Sequence, residues 1–357
     1  MKTIRIGVIG AGRFGIYHLH AFRQMESKSA IQLAAISELD PVKRKLLELE
    51  FNIPIYSDYK EMIEKEDLTA VSIATQDHLH KDVAILALSK GLHLFVEKPL
   101  DVSSEGAREI SDLAKNNNLL LQVDFHKRYD PYHIEIKQLI EQNKFGNFLY
   151  GYCHMEDKII VPRDWFKDWV SHSSPIWFLG CHFIDLMIWL MGSKPVSVYA
   201  KGQKIKLKGL GIDTFDAIQS MITFENNAVI TFDNSWILPE QFSSIVNQGF
   251  RLIGTEGIIE ADSENRGTLS CFSSENGVRN HNSGFMYTIK ESSGNEKYVG
   301  YGIDSIQHFA KNLCSLNNGE TLESLNGTYP SGRDGYEVSK VSEAIHISIN
   351  SGKEIVL

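Results

Sequence analysis

Three sets of residues in this 357-residue chain have types and spacings that could carry out chemistry. The turn Gly10–Gly15 reads G-x-G-x-x-G, a pattern whose backbone amides can bind phosphate groups. Lys98 directly precedes Pro99, and a lysine in a crevice can lose its charge through desolvation and act as a base. His182 and Asp185 lie three residues apart in the most apolar segment, where a carboxylate could orient an imidazole. These patterns indicate an enzyme that binds a nucleotide and moves a proton.

The glycine turn stands in the sequence context of a dinucleotide site. It follows an apolar, β-branched run at Ile4–Ile9 and opens a helical pattern, which is the strand–turn–helix order that such a site requires. Gly10 would allow the tight turn, Gly12 would let the backbone approach the pyrophosphate, and Gly15 would let helix and strand pack closely. The amides at the start of the helix would then bind the phosphates.

Glu38 bears on the choice of cofactor. It follows the second predicted strand, Gln32–Ser37, where a carboxylate can accept hydrogen bonds from both adenosine ribose hydroxyls but repels a 2′-phosphate. The next residue is Leu39, while Lys43 and Arg44 come only a turn into the following helix. We therefore expect NAD as the cofactor, with NADP less favoured.

The loops after the fourth and fifth predicted strands supply further candidates. They read Ala74-Thr75-Gln76 and Glu97-Lys98-Pro99, and in a doubly wound sheet ligands bind outside the carboxyl ends of the strands. The ring of Pro99 holds the preceding lysine extended, which defines where its side chain starts. The residues expected to contact the cofactor are Gly10, Gly12, Arg13, Phe14, Gly15, Glu38, Ala74, Thr75, His80, Glu97 and Lys98.

Strand and helix patterns alternate through about residue 123 and predict the elements that position these loops. Short apolar strands separated by helices are typical of a parallel sheet with helices on both faces. Beyond that point, alternating runs such as AIQSMITF-ENNA-VITFDNSW indicate an α+β domain with a large, open, mainly antiparallel sheet. The sequence thus predicts an α/β protein with a doubly wound nucleotide-binding domain at 1–123 and a second domain at 124–357.

Composition argues against several classes of function. Acidic residues outnumber basic ones by 45 to 36 with no basic run, so neither nucleic acid nor an anionic membrane is an expected partner. The four cysteines form no C-x-x-C pair and are expected as buried thiols in a reducing cytoplasm. The pairs His18/His20 and His78/His80 lack a third ligand at sensible spacing, so no metal site is predicted. No apolar stretch is long and clean enough for membrane insertion, which predicts a cytoplasmic protein.

These motifs resemble the Gfo/Idh/MocA family of oxidoreductases, which includes glucose–fructose oxidoreductase and inositol dehydrogenase. The resemblance rests on VIGAGRFG, IATQDHLH and VEKPL in the first half, and on GCHFIDLMIWLMG, ITFENNAVITFDNSW and GTEGIIE in the second. It implies a Rossmann domain, then a substrate-binding domain whose open sheet often mediates homodimers or homotetramers. It also implies NAD(P)-linked hydride transfer to or from a secondary alcohol or ketone of a sugar, glycoside or cyclitol, often with a cis bond at Lys98-Pro99.

Within this resemblance, Lys98 matches the catalytic lysine of the family and His182 matches its catalytic histidine. One position departs: an aspartate commonly lies four residues before that histidine in the polyol dehydrogenases, and here the position is Phe178. Asp185 lies on the same face of the predicted helix as His182 and is a candidate catalytic partner. We expect His182 to take the hydroxyl proton while Lys98 hydrogen-bonds the oxygen, and the reverse division stays open.

Residues after the last parallel strand and in the aromatic stretch of the second half are candidates for binding the substrate. His126 and Arg128 should face the crevice at the start of the second domain. Tryptophans can stack on the apolar faces of a sugar ring, although they are more often core residues. The substrate-binding candidates are His126, Arg128, Asp157, Lys158, Trp165, Trp177 and His182.

Two other functions stay open at this level. The enzyme could use NAD transiently, oxidising C3 of a hexose so that elimination then cleaves or rearranges a glycoside. Alternatively, the chain could be a non-catalytic NAD-binding regulator, which Phe178 favours and the retention of Lys98 and His182 opposes.

Overall fold

A computed structural model describes residues 2–262, 269–271, 277–282, 284–292, 294 and 296–357. The chain forms two compact units, one comprising Met1–Tyr129 with Phe285–Tyr336 and the other Asp130–Gly284 with Glu337–Leu357. Up to residue 123 the helices and strands are β1 (Ile4–Ile9), α1 (Gly15–Glu26), β2 (Ile31–Ser37), α2 (Pro41–Phe51), β3 (Ile55–Tyr56), α3 (Tyr59–Lys65), β4 (Ala70–Ile73), α4 (His80–Ser89), β5 (His93–Val96), α5 (Ser104–Asn116) and β6 (Leu121–Val123).

The first unit is built on a parallel sheet. Within residues 2–129, which are described without a gap, six strands pair in the order β3-β2-β1-β4-β5-β6. The order reverses between β1 and β4, and ligands of open α/β sheets bind at such a point, outside the carboxyl ends of the strands. The turns after β1, β4 and β5 all leave from this edge. The predicted doubly wound sheet is confirmed.

Local sequence signals explain where helices begin and end in this unit. Asp40 caps α2, because its carboxylate accepts hydrogen bonds from the amides of Val42 at 2.8 Å and Lys43 at 3.4 Å. Pro41 occupies the first turn, where a missing amide proton costs nothing. After α4 the chain turns at Gly91, which has φ +78°.

The second unit is built on a mixed sheet. Its elements up to residue 280 are α6 (Pro131–Glu141), β7 (Phe148–Lys158), α7 (Cys181–Met191), β8 (Pro195–Gln203), α8 (Lys206–Gly209), β9 (Ala217–Phe224), β10 (Val229–Leu238), β11 (Val246–Gly254), β12 (Ile258–Asp262), β13 (Leu269–Ser270) and β14 (Arg279–Asn280). The rest of the chain forms β15 (Tyr287–Lys290), β16 (Glu296–Val299), α9 (Tyr301–Asn317), α10 (Gly332–Ser351) and β17 (Ile355–Val356).

The strand order of this second sheet is β12-β11-β7-β10-β9-β8-β17 in the described part of the chain. Neighbouring strands are antiparallel except β7 and β10, which run parallel. The predicted mainly antiparallel sheet is confirmed. No helix among the described residues is both long and apolar enough to cross a bilayer.

The unit boundaries differ from a single division after residue 123. Residues 285–336 return to the first unit because α9 completes its core. Ile306 and Phe309 of α9 are fully buried in the same apolar cluster as Leu19 and Phe22 of α1. Packing against α1 removes this apolar face of α9 from water, which is favourable. The sequence boundary was placed where the strand–helix alternation ends, and that pattern carries no information about the packing of α9 on α1.

Candidate active site

The three glycines of the first turn have different surroundings. Gly10 has φ +88°, and a Cβ atom placed there would lie 2.6 Å from the carbonyl oxygen of Ala74. A Cβ at Gly15, the first residue of α1, would collide with the carbonyl oxygen of Gly10. Both positions therefore require glycine for packing. Within the described residues, no atom lies within 4 Å of a Cβ added at Gly12, so the backbone is open to a ligand there.

Glu38 contacts this turn directly. One oxygen of its half-buried carboxylate accepts the amide proton of Ala11 at 2.9 Å, and the other accepts that of Asp40 at 2.9 Å. Arg44 does not neutralise it through a contact with its carboxylate, since the guanidinium donates to the carbonyl oxygens of Glu38 at 2.9 Å and Leu39 at 2.7 Å. A carboxylate held at the turn retains lone pairs for ribose hydroxyls and repels a phosphate.

The loop after β4 contains a polar atom that could hydrogen-bond to a cofactor. The Thr75 hydroxyl oxygen is buried and has no hydrogen-bond partner in the described part of the chain, which is costly unless a ligand satisfies it. His80 is fully buried behind it, with Nδ1 donating to the carbonyl oxygen of Pro99 at 2.7 Å and Nε2 3.3 Å from that of Thr75. Together with the open face of Gly12, this loop fits a dinucleotide along the carboxyl edge of the sheet.

Lys98 is a buried residue at the end of β5. It is 5% exposed, and its peptide bond to Pro99 is cis. Its amide donates to one carboxylate oxygen of Glu97 at 3.2 Å. The other oxygen of Glu97 accepts a hydrogen bond from Nε2 of His18 at 3.2 Å, and Nδ1 of His18 is hydrogen-bonded to the Ser72 hydroxyl at 2.7 Å. The backbone amide of the candidate catalytic lysine is thus the first member of a series of buried hydrogen bonds.

A second carboxyl group, Asp124, lies beside this series of hydrogen bonds. Burial raises the pKa of Glu97, but the hydrogen bond and charge of His18 outweigh burial and leave that pKa below its usual range. Lys98 and His126 act in the same direction. Burial and then the negative charge of Glu97 raise the pKa of Asp124. Two carboxyl groups in one buried cluster cannot ionise equally well, and Glu97 is the more acidic of the two.

His182 and Asp185 belong to the second unit. Both lie on α7, one turn apart and 5% and 1% exposed, and all but a few residues of that helix are buried. A π-helical turn over Ile176–Gly180 precedes α7 and carries Phe178, whose ring meets Phe166 edge-on at 4.6 Å. Where the resemblance led us to expect an aspartate, the chain therefore has an aromatic packing contact.

Two substrate candidates in the first unit have partners there. Arg128 forms an ion pair with Asp334 at 2.9 Å. His126 is buried, and the ring of Phe285 lies 4.8 Å from it and that of Tyr301 5.8 Å. These contacts order both side chains within the unit that carries the glycine turn.

The remaining candidates lie in the second unit. Asp157 is buried and Lys158 half-buried at the end of β7, and burial, followed by the charge of Arg279, lowers the pKa of Lys158. Trp177 is 7% exposed and stacks on His346 at 5.4 Å, which is a core contact. Trp165 is half-buried in a π-helical turn over Val161–Trp165.

Three residues of this cluster belong to no motif of the sequence: His18, Ser72 and Asp124. In the sequence, His18 stands out only as one half of the His18/His20 pair. Its one available signal is position: a histidine one turn after Gly15 falls on the sheet-facing side of α1, where a polar side chain needs a partner. The partners come from 54 and 79 residues further along the chain, which no local pattern shows.

Two models of one family match the chain. The first, an oxidoreductase family with an NAD-binding Rossmann fold, matches residues 4–125, and the second, the GFO/IDH/MocA C-terminal domain, matches residues 133–260. The chain belongs to the Gfo/Idh/MocA family. It is therefore an NAD-binding oxidoreductase, which confirms the expected family and cofactor.

Relatives within the Gfo/Idh/MocA family include a protein named for rhizopine catabolism and named dehydrogenases. Rhizopine catabolism protein MocA of Rhizobium meliloti is 30% identical over 223 residues, covering 61% of this chain and 67% of that protein. Levoglucosan dehydrogenase of Pseudarthrobacter phenanthrenivorans is 26% identical, covering 97% of this chain and 96% of that protein. The structure of Lactobacillus casei scyllo-inositol dehydrogenase with NAD(H) and scyllo-inositol has a TM-score of 0.77 at 19% identity, covering 99% of each chain, and thus the same fold.

Proposed function

We propose that this member of the family transfers hydride between NAD and a secondary alcohol or ketone of a sugar, glycoside or cyclitol. The observation that carries the proposal is the carboxyl edge of the first sheet, where the open Gly12, the carboxylate of Glu38 and the buried Lys98 share one set of loops. Relatives named levoglucosan dehydrogenase and scyllo-inositol dehydrogenase support the substrate class.

Within this function we assign the proton steps to two side chains. Oxidation of a secondary alcohol removes a hydride from carbon and a proton from the hydroxyl group, and bound NAD would accept the hydride. We assign the hydroxyl proton to His182, and to Lys98 the hydrogen bond that stabilises the developing negative charge on oxygen. Asp185, one helical turn from His182, is assigned the orientation of that imidazole.

Separate replacement of the two side chains tests this assignment. We expect Lys98→Met and His182→Ala each to lower kcat by about 10²–10⁴-fold, the range typical of a lost proton-transfer group. Lys90→Met changes an exposed lysine of the same unit and serves as the control. Wild-type turnover in both active-site variants would remove the assignment. If one of the two variants loses activity only at low pH or only at high pH, the residue replaced in that variant is the one that holds the hydroxyl proton.

The nature of the catalysed reaction is tested with the unmodified protein. Denaturing it and identifying any released nucleotide shows which cofactor it carries. A panel of inositols, sugars, sugar acids and glycosides, followed at the absorbance of NADH, then measures oxidation. Net NADH formation supports the proposal. Turnover without released NADH would instead establish transient oxidation of a glycoside, and cofactor binding without any turnover would establish a regulator.

We also propose that a second copy of the chain covers the open face of the seven-stranded sheet. A cross-strand row on this face contains Tyr152, Thr231, Met221 and Tyr199, and its large members are 36–46% exposed. An exposed apolar row on a sheet is typical of an interaction surface. Sedimentation of the wild type should show a dimer or larger, and Met221→Lys with Tyr199→Lys should give a smaller species. A wild type that sediments as a monomer would contradict this.

A further inference from the structure

Side chains from four separate elements lie next to Lys98, the lysine that follows β5. Ser72 comes from β4, His18 from α1, and Glu97 directly precedes the lysine. All three side chains are buried: Ser72 and His18 are not exposed to solvent at all and Glu97 is 7% exposed. The contacts run from the Ser72 hydroxyl to His18 (2.7 Å), from His18 to Glu97 (3.2 Å), and from the amide of Lys98 to Glu97 (3.2 Å). Each carboxylate oxygen of Glu97 is thereby held by a different donor.

The fourth element supplies a second carboxyl group, whose pKa is raised where that of Glu97 is lowered. Asp124, just after β6, accepts a hydrogen bond from the Ser305 hydroxyl of α9 at 2.5 Å and lies 3.9 Å from Nδ1 of His126. One atom each of His18, Glu97 and Asp124 lie within 4.8 Å of one another. Buried carboxyl groups this close compete for ionisation. The histidine contact of Glu97, at 3.2 Å, is shorter than that of Asp124, at 3.9 Å, which favours the ionised form of Glu97.

We propose that His18 is a positioning residue for the reaction, holding the Glu97 carboxylate ionised and fixed so that Glu97 in turn holds Lys98 in place. This inference rests on the proposed function for its kinetic consequence. The groups that face the Glu97 carboxylate are His18 from α1, Lys98 beside it, and Asp124 and His126 after β6. Misplacing a reacting group by about 1 Å can cost about 100-fold in rate, so a shift of the lysine would be readily measured.

A metal ion is the alternative occupant of this cluster. His18 would have to coordinate a metal through Nε2 or Nδ1. In the structure, Nε2 is hydrogen-bonded to Glu97 and Nδ1 to Ser72. A metal would therefore break the contacts described above. The purified protein should contain no stoichiometric transition metal by elemental analysis, and activity should survive dialysis against a chelator. One metal ion per chain, lost together with activity, would overturn the proposal.

Two substitutions at His18 separate a positioning role from simple packing. His18→Leu fills the space but cannot donate to Glu97, whereas His18→Gln retains an N–H donor at a similar reach. We expect His18→Leu to lower kcat by about 100-fold, with less than about threefold change in the KM for NAD, and His18→Gln to recover most of this loss. His20→Leu removes a partly buried imidazole from the same helix and should keep wild-type kcat. Equal losses in His18→Leu and His18→Gln would overturn the proposal.

The pH profile adds a readout that packing alone does not move. Without its donor, Glu97 would take up a proton at higher pH, because burial favours the neutral carboxyl. The acidic limb of kcat should therefore move toward neutral pH in His18→Leu and return in His18→Gln. The two carboxyl groups should also differ: Glu97→Gln should lower kcat about 100-fold, and Asp124→Asn, which alters the carboxyl group whose pKa is raised, far less. The opposite order would refute the charge assignment.

A measurement on the lysine itself keeps this inference separate from the proposed function. The rate of labelling of Lys98 by an amine-reactive reagent, followed by mass spectrometry across pH, requires no substrate. We expect the labelling profile of His18→Leu to differ from that of the wild type and of His20→Leu. If no polyol is oxidised but the labelling profile changes, the proposed function fails and the positioning role stands. If polyols are oxidised and neither kcat nor labelling responds to His18→Leu, the positioning role alone fails.

Discussion

Replacing Glu38 by glutamine should weaken the discrimination between NAD and NADP. In the folded chain the two oxygens of this carboxylate accept the amide protons of Ala11 and Asp40, both at 2.9 Å. Glutamine preserves the shape and one acceptor oxygen, but it removes the charge and one of the two hydrogen bonds. The lost hydrogen bond should lower the free energy of unfolding by about 1–2 kcal/mol. The fold should therefore survive the substitution.

The lost charge should have the larger effect on cofactor choice. Two unit charges about 4 Å apart interact by about 1 kcal/mol in bulk water and by about 4 kcal/mol at an effective dielectric constant of 20. Glu38 is half-buried, so we take a repulsion of about 2 kcal/mol toward a 2′-phosphate. This energy corresponds to a change of about 30-fold in the ratio of the two dissociation constants.

Fluorescence titration with NADH and NADPH measures this ratio without any substrate. The wild type should prefer NADH, and Glu38→Gln should reduce that preference by about 30-fold. Glu48→Gln removes the same charge from an exposed position of α2 and should leave the ratio unchanged. Thermal melting of all three proteins confirms that they are folded. A ratio for Glu38→Gln within about threefold of the wild type would refute the electrostatic argument.

Three further substitutions test the structure around the turn and the core. Gly12→Ala adds a Cβ that meets no atom of the described chain segments within 4 Å, so the melting temperature should stay the same. NADH affinity should fall at least about tenfold, and an unchanged affinity would show that no ligand approaches this glycine. Gly15→Ala drives a Cβ into the carbonyl oxygen of Gly10, so the melting temperature should drop sharply, and a wild-type melting curve would contradict the described turn. His93 has its pKa lowered by burial from 6.5 to about 4, and its Nδ1 accepts the Leu120 amide proton at 2.9 Å. Because the unfolded chain binds the extra proton, stability is lost as the pH falls from 6.5 to 4, by up to about 3 kcal/mol. Urea unfolding of His93→Asn, which keeps an acceptor but does not titrate, should show a shallower pH dependence, and an identical one would exclude His93 as its source.

The first sheet and its cofactor loops could be predicted because their signals are local. The run Ile4–Ile9, the three glycines and Glu38 lie within 35 residues, and each step of the strand–turn–helix order has a short-range cause. Asp40 and Pro41 likewise begin α2 through contacts with their nearest neighbours. Steric limits on the backbone and capping hydrogen bonds act over a few residues, so they can be read from the chain.

The contacts that organise the candidate catalytic lysine could not be predicted in this way. His18 finds Ser72 and Glu97 at separations of 54 and 79 residues, and Asp124 finds Ser305 at 181. The packing of α9 in the core of the first unit likewise joins segments that are far apart in the sequence. In each case the pairing depends on which buried surfaces meet once the whole unit has closed.

The amino-acid sequence alone therefore determined the nucleotide-binding turn, the parallel strands that precede the cofactor loops, and the family. Only the tertiary structure decided that His18 and Asp124 join the Glu97–Lys98 loop, that Arg128 is paired with Asp334, and that Trp177 packs on His346. The reason is physical: local propensity decides which elements form, whereas a buried polar group is stable only beside a partner, and that partner is supplied by distant chain segments brought together by apolar burial.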